Sequence, residues 1–452
     1  MDTIREQVSA EEEAERCDNN REMGPLERVA GSDFPQNRSQ SSEVEPFSSY
    51  KSKIEELLTT IDLDGCSIEA IQHGKNYMNC VYGLTRLSRP KSSNDDVNER
   101  QYILRVPTRR GFKLNGEVCQ EIKNDVALLE YLSTSSLPVP QVKDHSAMIN
   151  NVLKAPYIVQ TRMAGTSLKD VYAKLSYDQK RDIMHQFVDV LFLLESIQFE
   201  TAGTFEAPRL QESSDSVTAQ KTLPPNVVSF IEGGEYFDLQ ALLSSYINNR
   251  NHKDLRDDQF TVEIFKLMSE MLDTLDQEGV FADKDYPIVL NHTDLEPRNI
   301  VVSDLNPEGR WKISGIVDWD DALAVPRPLA RIAPAWIWDF DAKRPTGYLN
   351  ADHHPISDEN LSEDGKTLKN EFAVVAGKRL GEKYLKDAYG NARWLRLIWH
   401  FVLGGVHDKE GLPRMMKMKQ DWAMRPRAKQ LRSASSTTLA ESSTTLAERA
   451  LK

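Results

Sequence analysis

The segments HTDLEPRN at residues 292–299 and IVDWD at residues 316–320 are the most informative part of this 452-residue chain. Apolar, strand-like runs flank the first segment on both sides, so its polar residues are predicted to lie on a loop between two strands. A further strand is predicted from about Trp311 to Val317, and it ends at Asp318 beside that loop. The order of these elements predicts that two aspartates and one asparagine meet at strand ends.

Three residues in these segments have the chemistry of a phosphoryl-transfer site. Asp294 is placed to position and deprotonate an acceptor hydroxyl, while Asn299 and Asp318 offer oxygen ligands for magnesium. Either aspartate alone is better explained as a loop residue that caps a turn, because that is what most loop aspartates do. Their occurrence in this order, between strands, instead favours phosphoryl transfer.

The two segments resemble the aminoglycoside phosphotransferase family, the small-molecule branch of the protein-kinase-like fold. The pattern is His-x-Asp-Leu-x-Pro-x-Asn followed by Ile-Val-Asp-Trp-Asp. The resemblance covers about residues 50–425 and implies an α+β bilobal fold, with a small antiparallel-sheet N-lobe and a larger, mostly helical C-lobe. It further implies that Asp294 is the catalytic base and that Asn299 and Asp318 bind Mg²⁺. His292 is expected to brace the loop without reacting.

Composition and periodicity divide the chain into four parts. Residues 1–46 are acidic and poor in aromatics and are predicted to be disordered, and residues 426–452 form a flexible Ser/Thr-rich tail with a tandem SSTTLAE repeat. Between them, a nucleotide-binding N-lobe is predicted at residues 47–163. A C-lobe with the catalytic loop, metal site and acceptor pocket is predicted at residues 164–425. Apolar residues at helical spacing predict helices at about 50–61, 117–132, 176–198 and 261–277.

The formal net charge is −13, with 56 Lys and Arg against 69 Asp and Glu. This charge disfavours nucleic acid as a partner, because a phosphate-binding surface needs clustered basic residues. No stretch is apolar enough for membrane insertion, and the N-terminal residues fit neither a signal peptide nor a mitochondrial presequence. The four cysteines show no CxxC spacing, which indicates neither a zinc site nor a disulfide framework. A cytoplasmic location is expected.

The resemblance also implies a site for ATP in the N-lobe. Arg105 would meet the α- and β-phosphates, where a protein kinase has a lysine, and an acid on the 117–132 helix would orient it. Asp125 is the expected acid, and Glu121, one turn earlier, is the alternative; a solvent-facing role is equally open for each. The loop around Gly74 is the candidate phosphate loop. It lacks a full GxGxxG pattern, and a plain hairpin fits it as well.

The strand that ends the N-lobe leads into a segment that the resemblance identifies as the hinge. In kinase-like folds, backbone amides and carbonyls of this segment meet the adenine edge. The hinge residues are Gln160, Thr161, Arg162 and Met163.

The leading functional interpretation is an ATP- and Mg²⁺-dependent phosphotransferase that acts on a hydroxyl of a small molecule. A catalytically inactive nucleotide-binding or scaffold protein is the alternative, because Arg105 and Asp125 depart from the usual lysine and glutamate. Protein kinase activity is disfavoured, since the sequence has no GxGxxG, DFG or APE element. The fold also serves choline, homoserine and sugar kinases, so it does not fix the acceptor. Acids and aromatics within 200–258 and 325–400 would suit an amine-bearing acceptor, or belong to surface and core.

Overall fold

The computed structural model describes residues 45–73, 79–87, 99–108, 116–208, 225–230, 238–254, 259–282, 286–304, 310–341, 358–404 and 411–425. Two lobes follow each other along this part of the chain, the first built on one antiparallel sheet and the second mostly helical. No helix among these residues is long and apolar enough to cross a membrane.

The N-lobe is a five-stranded antiparallel sheet with a helix against each face. In chain order its strands are β1 (Ser67–Gln72), β2 (Asn79–Leu87), β3 (Glu99–Pro107), β4 (Val142–Ser146) and β5 (Tyr157–Thr161). Their spatial order is β1-β2-β3-β5-β4. Helix α1 (Phe47–Thr60) covers one face, and helix α2 (Gly116–Leu132) covers the other.

Alternating side chains along β5 separate these two faces. Val159 belongs to the buried cluster that contains Ile54 and Leu58 of α1, whereas Ile158 belongs to the cluster that contains Ile122 of α2. Full burial of such a side chain contributes about 1.5–3 kcal/mol to folding. The apolar stripes of both helices thus hold the sheet from opposite sides.

The C-lobe has two small antiparallel sheets enclosed by helices. Its strands are β6 (Thr166–Ser167), β7 (Gln198–Phe199), β8 (Gly203–Glu206), β9 (Asn226–Ser229), β10 (Ile288–Asn291), β11 (Ile300–Asp304), β12 (Trp311–Ile316) and β13 (Leu323–Pro326). Its helices are α3 (Leu168–Val171), α4 (Tyr177–Ser196), α5 (Leu239–Asp254), α6 (Gln259–Gln277), α7 (Arg327–Ala330), α8 (Glu363–Leu380), α9 (Glu382–Tyr389), α10 (Ala392–Gly404) and α11 (Gly411–Met424). One sheet has the order β7-β10-β13-β8-β9, and the other has the order β12-β11-β6.

The four predicted helices are confirmed as α1, α2, α4 and α6, with ends within three residues of the expected ones. Helix α4 begins at a capping box in which the Gln179 amide donates to Ser176 Oγ at 3.3 Å and the Ser176 amide donates to Gln179 Oε1 at 2.9 Å. Its inner face buries Ile183, Met184 and Phe187 in the C-lobe core. The spacing of apolar residues was sufficient to predict these helices because each of them buries one continuous apolar stripe.

Two neighbouring connections between the C-lobe sheets position the candidate site. Strand β10 pairs with β13 in one sheet, and β11 pairs with β12 in the other. The chain passes from the first sheet to the second through residues 292–299 and returns through residues 317–322. Because both pairs are antiparallel neighbours, these two connections begin and end side by side. They contain the HTDLEPRN and IVDWD motifs.

Candidate active site

The first connection holds its aspartate through a compact hydrogen-bond pattern. Asn299 Nδ2 donates to Asp294 Oδ2 at 2.8 Å and to the Asp294 backbone oxygen at 2.9 Å. The Glu296 amide donates to the same backbone oxygen at 2.8 Å. A 3₁₀ turn at Pro297–Asn299 begins with proline, whose fixed φ suits that position, and Asn299 is buried. The orientation of the Asp294 carboxylate is therefore set by the turn that follows it.

His292 joins the first connection to the second. It is 1% exposed, its Nε2 donates to the Val317 carbonyl oxygen at 2.9 Å, and its ring lies 4.5 Å from that of Trp319. Burial lowers the pKa of His292, so the ring is neutral near pH 7. A neutral imidazole with its proton on Nε2 matches the brace that the resemblance implies.

Both connections contain a non-glycine residue in the left-handed region. Thr293 has φ 61° and Asp318 has φ 72°. Each such residue carries strain of about 1–3 kcal/mol, and a β-branched threonine is an especially uncommon case. The Thr293 hydroxyl lies 2.7 Å from the His292 carbonyl oxygen and 3.1 Å from that of Asp321, which helps to hold the bend. Strain of this kind concentrates at functional sites.

Asp318 starts the return connection among several other acids. The residue is exposed, but protein atoms surround its carboxylate. This crowding, followed by the negative charge of Asp320, raises the pKa of Asp318 to about 6. The positive charge of Arg105 offsets part of this increase, and Asp294 and Asp321 add to it. The region between the lobes thus gathers more negative than positive charge around Asp318.

Arg105 on β3 reaches from the N-lobe into this acidic region. Its side chain is 12% exposed and forms an ion pair with Asp320. Asn79 Nδ2 on β2 also donates to Asp320 Oδ2, at 3.4 Å. Burial lowers the pKa of Arg105, but the charge and hydrogen bond of Asp320, together with the charges of Asp125 and Asp318, outweigh this effect and the pKa is raised on balance. A charged Arg105 therefore joins the lobes at the candidate site.

The expected Arg105–Asp125 ion pair is replaced in the structure by the Arg105–Asp320 pair. Asp125 acts on Arg105 through its charge without salt-bridge contact. Burial raises the pKa of Asp125 well above its usual value, and the charge of Asp320 raises it further. Glu121, the alternative acid, acts in the same direction. The bend at Asp318 brings Asp320 to the cation, so the helix acid loses that position.

The hinge residues lie at the end of β5, an inner strand of the N-lobe sheet, and lead toward β6. Gln160 is 6% exposed, and its Oε1 has no hydrogen-bond partner within the described residues. Thr161 Oγ1 accepts from the Gln141 amide at 2.9 Å, and the Arg162 amide donates to the Gln101 carbonyl oxygen at 3.0 Å. The structure places all of these residues at the junction of the lobes. Gly74, the candidate phosphate-loop glycine, lies outside the described residues.

The end of the hinge packs closely on the strands that lead to the site. A Cβ built on Gly315 would lie 2.6 Å from Met163 Cγ, so glycine is required there for the hinge to approach β12. Gly165 has φ 120°, and its Cβ would lie 2.1 Å from the Val302 carbonyl oxygen on β11. The first contact holds the hinge against β12, which ends just before Asp318, and the second holds Gly165 against β11.

A profile of the phosphotransferase enzyme family matches residues 92–354, more than half of the chain. The chain belongs to this family. The match includes the segments 292–299 and 316–320 described above. Together with the observed architecture, it confirms the α+β bilobal fold with a small antiparallel-sheet N-lobe and a larger helical C-lobe.

Several solved structures are similar to this phosphotransferase. A GDP and kanamycin complex of APH(2″)-IIIa has a TM-score of 0.45 and 14% identity, over 83% of this chain and 98% of that one. A streptomycin–ATP complex of APH(2″)-IIa has a TM-score of 0.42 and 14% identity, over 82% of this chain and 95% of that one.

Curated relatives match a shorter stretch. Two subtelomeric hrmA-associated cluster proteins from strains of Aspergillus fumigatus are each 30% identical to this phosphotransferase over 108 residues. That stretch is 24% of this chain and 20% of each relative. The match therefore spans about a fifth of the length of these relatives.

Three residues of the phosphotransferase site were not among the predicted ones. Asp320 lies within the quoted IVDWD motif, but its partner Arg105 is 215 positions away, and no local signal indicates such a contact. Arg298 Nη2 lies 2.6 Å from both Oδ1 and Oδ2 of Asp294. A spacing of four residues signals an ion pair in a helix, and this segment is a loop. Glu296 is the third residue, and it is distinguished only by its burial in the folded chain.

Glu296 is expected to destabilise the folded phosphotransferase at alkaline pH. Burial, and then the charge of Asp294, raises its pKa to about 7, with Arg298 offsetting part of the effect. Because the folded chain prefers the protonated form, the unfavourable contribution grows as the pH rises from about 4.5 to about 7. We expect Glu296→Gln to stabilise the protein by about 1–3 kcal/mol at pH 8 and by much less at pH 5, measured by urea unfolding. Equal effects at both pH values would contradict this explanation.

Proposed function

We propose that this phosphotransferase uses ATP and Mg²⁺ to phosphorylate a hydroxyl of a small molecule. One observation carries the proposal: Asp294, Asn299 and Asp318 come together on two adjacent connections, with Arg105 approaching them from the N-lobe. The N-lobe would span residues 47–163 and the C-lobe residues 164–425.

Asn299 and Asp318 are the proposed Mg²⁺ ligands, and their surroundings fit a divalent cation. The amide nitrogen of Asn299 is engaged by Asp294, which leaves its carbonyl oxygen as the ligand atom. Asp318 has a raised pKa because burial and neighbouring acids disfavour its charge, and a cation would relieve that repulsion. Among the described residues, no group of three or more His, Cys, Asp or Glu forms a metal cage. Mg²⁺ suits such a site, since it takes one or two protein ligands and completes its shell with phosphates and water.

The chain's own residues have distinct parts in the proposed reaction. Asp294, held by Asn299, positions the acceptor hydroxyl and takes its proton. Arg105 holds the α- and β-phosphates with its guanidinium, and hinge residues 160–163 bind the base. When bound, Mg-ATP supplies the phosphoryl group and the metal charge that stabilises the transition state. Because such transition states are loose, positioning and electrostatics supply most of the acceleration.

A nucleotide-binding protein without turnover is the second candidate. It is favoured by the Arg105–Asp320 ion pair, since an arginine committed to a carboxylate is less available to phosphates. Against this candidate stands the hydrogen-bonded geometry of Asp294 and Asn299, which nucleotide binding alone does not require. For the enzyme, an amine-bearing acceptor is our proposal, because acids dominate the region around Asp318.

Calorimetric titration of ATP into the purified chain, with Mg²⁺ and then with a chelator, tests the proposal. We expect binding that requires Mg²⁺, followed by acceptor-dependent release of ADP in a metabolite screen. Asp318→Asn should lose the metal-dependent part of the affinity, whereas Asp178→Asn, an exposed acid on α4, should not. Absence of binding in both buffers would contradict the proposal. Metal-dependent binding without turnover on any acceptor would support the second candidate.

The metal-dependent affinity is also expected to depend on pH. Protonated Asp318 cannot bind Mg²⁺, and its raised pKa of about 6 places the protonation within an accessible range. Lowering the pH from 7.5 to 5 should therefore reduce the Mg²⁺-dependent gain in ATP affinity by about tenfold. The same titrations of Asp318→Asn at each pH separate this effect from protonation of ATP itself. A gain that is unchanged at pH 5 would exclude Asp318 as the titrating ligand.

A further inference from the structure

Arg298 covers the carboxylate of the proposed base. Its Nη2 lies 2.6 Å from both Oδ1 and Oδ2 of Asp294, and Oδ2 also accepts from Asn299 Nδ2 at 2.8 Å. A carboxylate oxygen has two lone pairs, so both lone pairs of Oδ2 and one of Oδ1 are engaged. The base is therefore largely occupied before an acceptor hydroxyl arrives.

Arg298 combines a fixed backbone with an accessible side chain. Its Cα belongs to the 3₁₀ turn between buried Pro297 and buried Asn299. The side chain itself is 38% exposed, against 26% for Asp294. Because its backbone is fixed and its side chain is accessible, the Arg298 guanidinium can rotate without disturbing the turn that orients Asp294.

We propose that Arg298 exchanges partners, binding Asp294 in the resting chain and the terminal phosphate once nucleotide is bound. This inference rests on the proposed function. The acceptor hydroxyl must lie between Asp294 and that phosphate, so a guanidinium that touches Asp294 is within one side-chain rotation of the phosphate. Asp294 then takes the hydroxyl proton as the new O–P bond forms and the bond from phosphorus to the bridging oxygen of the departing nucleoside diphosphate breaks.

The charge distribution supports this exchange. The terminal phosphate would approach Asp294, Asp318 and Asp320, and each of them repels it. Arg105 is already engaged by Asp320, so its charge is partly neutralised. Arg298 lies on the same loop as Asp294, and its two 2.6 Å contacts with Asp294 both come from Nη2, whereas its planar fork can bind two phosphate oxygens through two nitrogens. Arrival of the phosphate would thus uncover the base at the moment it is needed.

The test measures how much the terminal phosphate adds to nucleotide affinity. ADP and the β,γ-imido analogue of ATP are titrated with Mg²⁺ into the full chain by calorimetry, and the ratio of their affinities is compared between variants. Arg298→Gln is expected to lower the ratio by about tenfold and to leave the ADP affinity unchanged, since a hydrogen bond to a charged group is lost. Arg181→Gln is the matched control, because Arg181 is 42% exposed and lies 3.7 Å from Asp178 on α4. Its ratio should equal that of the wild type.

Each of the other possible results either supports or overturns the proposed exchange of partners by Arg298. An unchanged ratio in Arg298→Gln overturns the exchange and leaves the proposed function standing. A lower ADP affinity with an unchanged ratio would show that Arg298 only supports the loop, and this also overturns it. If wild type binds neither nucleotide, the proposed function fails and this inference fails with it. If Arg298→Gln does not fold, Arg298→Lys replaces it: a fall in the ratio supports the fork contact, and an unchanged ratio overturns it.

Discussion

Replacement of Asp294 by asparagine is expected to lower the rate of phosphoryl transfer by about 10²- to 10⁴-fold, the range for removal of a general base. The amide preserves the shape of the side chain and can still accept from Asn299, so the loop should keep its conformation. It cannot take a proton from the acceptor. Affinity for Mg-ATP should not fall below the wild-type value, because the proposed phosphate and metal contacts come from Arg105, Arg298, Asn299 and Asp318.

The rate is measured as ADP release with the acceptor that the metabolite screen identifies, or with water as a slow acceptor. Asp178→Asn on α4 provides the same chemical change at an acid that is 81% exposed, and its rate should equal that of the wild type. A wild-type rate in Asp294→Asn would exclude Asp294 as the base. A large loss of nucleotide affinity in the same variant would instead show that Asp294 contributes to the phosphate or metal site.

The catalytic-loop side of the site could be predicted because its residues lie close together in sequence. Asp294 and Asn299 are five positions apart, and strands predicted on either side place them on one loop. Asp318 required one further step, namely that consecutive strands pair, which β11 and β12 do. The fold class followed from the same motifs by resemblance. The prediction of this side of the site therefore rested mostly on short separations in sequence and on the pairing of consecutive strands.

The N-lobe side was harder to predict because its contacts depend on how the lobes meet. The resemblance identifies Arg105, and it predicts a partner for this arginine on one helix of the same lobe. The observed partner, Asp320, comes from the other lobe. The spacing of apolar residues within one lobe does not indicate which residues of the other lobe will contact it. The raised pKa of Glu296 has the same origin, since burial in the folded chain is its largest cause. Very short strands such as β6 and β7 escaped prediction because two residues carry no alternation.

Arg331 is expected to be the residue whose loss most destabilises the C-lobe. Its side chain is 2% exposed and donates from Nε and Nη2 to Glu195 of α4 at 2.8 and 2.6 Å. Its Nη1 donates to Asp387 of α9 at 3.1 Å. Arg396 of α10, also buried, donates to the backbone oxygens of Arg331 at 2.7 Å and of Asp387 at 3.0 Å. One cation thus compensates two largely buried carboxylates from two helices.

Arg331→Met should lower the free energy of unfolding by about 3–5 kcal/mol at pH 7.5, because both carboxylates would remain buried without a counter-charge. Urea unfolding measures this change. Arg181→Met removes an exposed ion pair on the same helix α4 and should change stability by less than about 1 kcal/mol.

A rescue variant separates the loss of charge compensation from the loss of packing. In Arg331→Met combined with Glu195→Gln and Asp387→Asn, neither carboxylate is left without its partner cation, Arg396 keeps the backbone oxygens that it binds, and most of the stability should return. If the triple variant is as unstable as Arg331→Met alone, the packing of the arginine stem and its contact with the Tyr384 ring, 5.4 Å away, are the larger contribution. A loss below about 1 kcal/mol in the single variant would mean that water or protonation already compensates both carboxylates. Arg331 directly follows α7, and α7 directly follows β13, the strand after Asp318. The loss of unfolding free energy in Arg331→Met therefore includes the contribution of Arg331 to holding β13 against the helices.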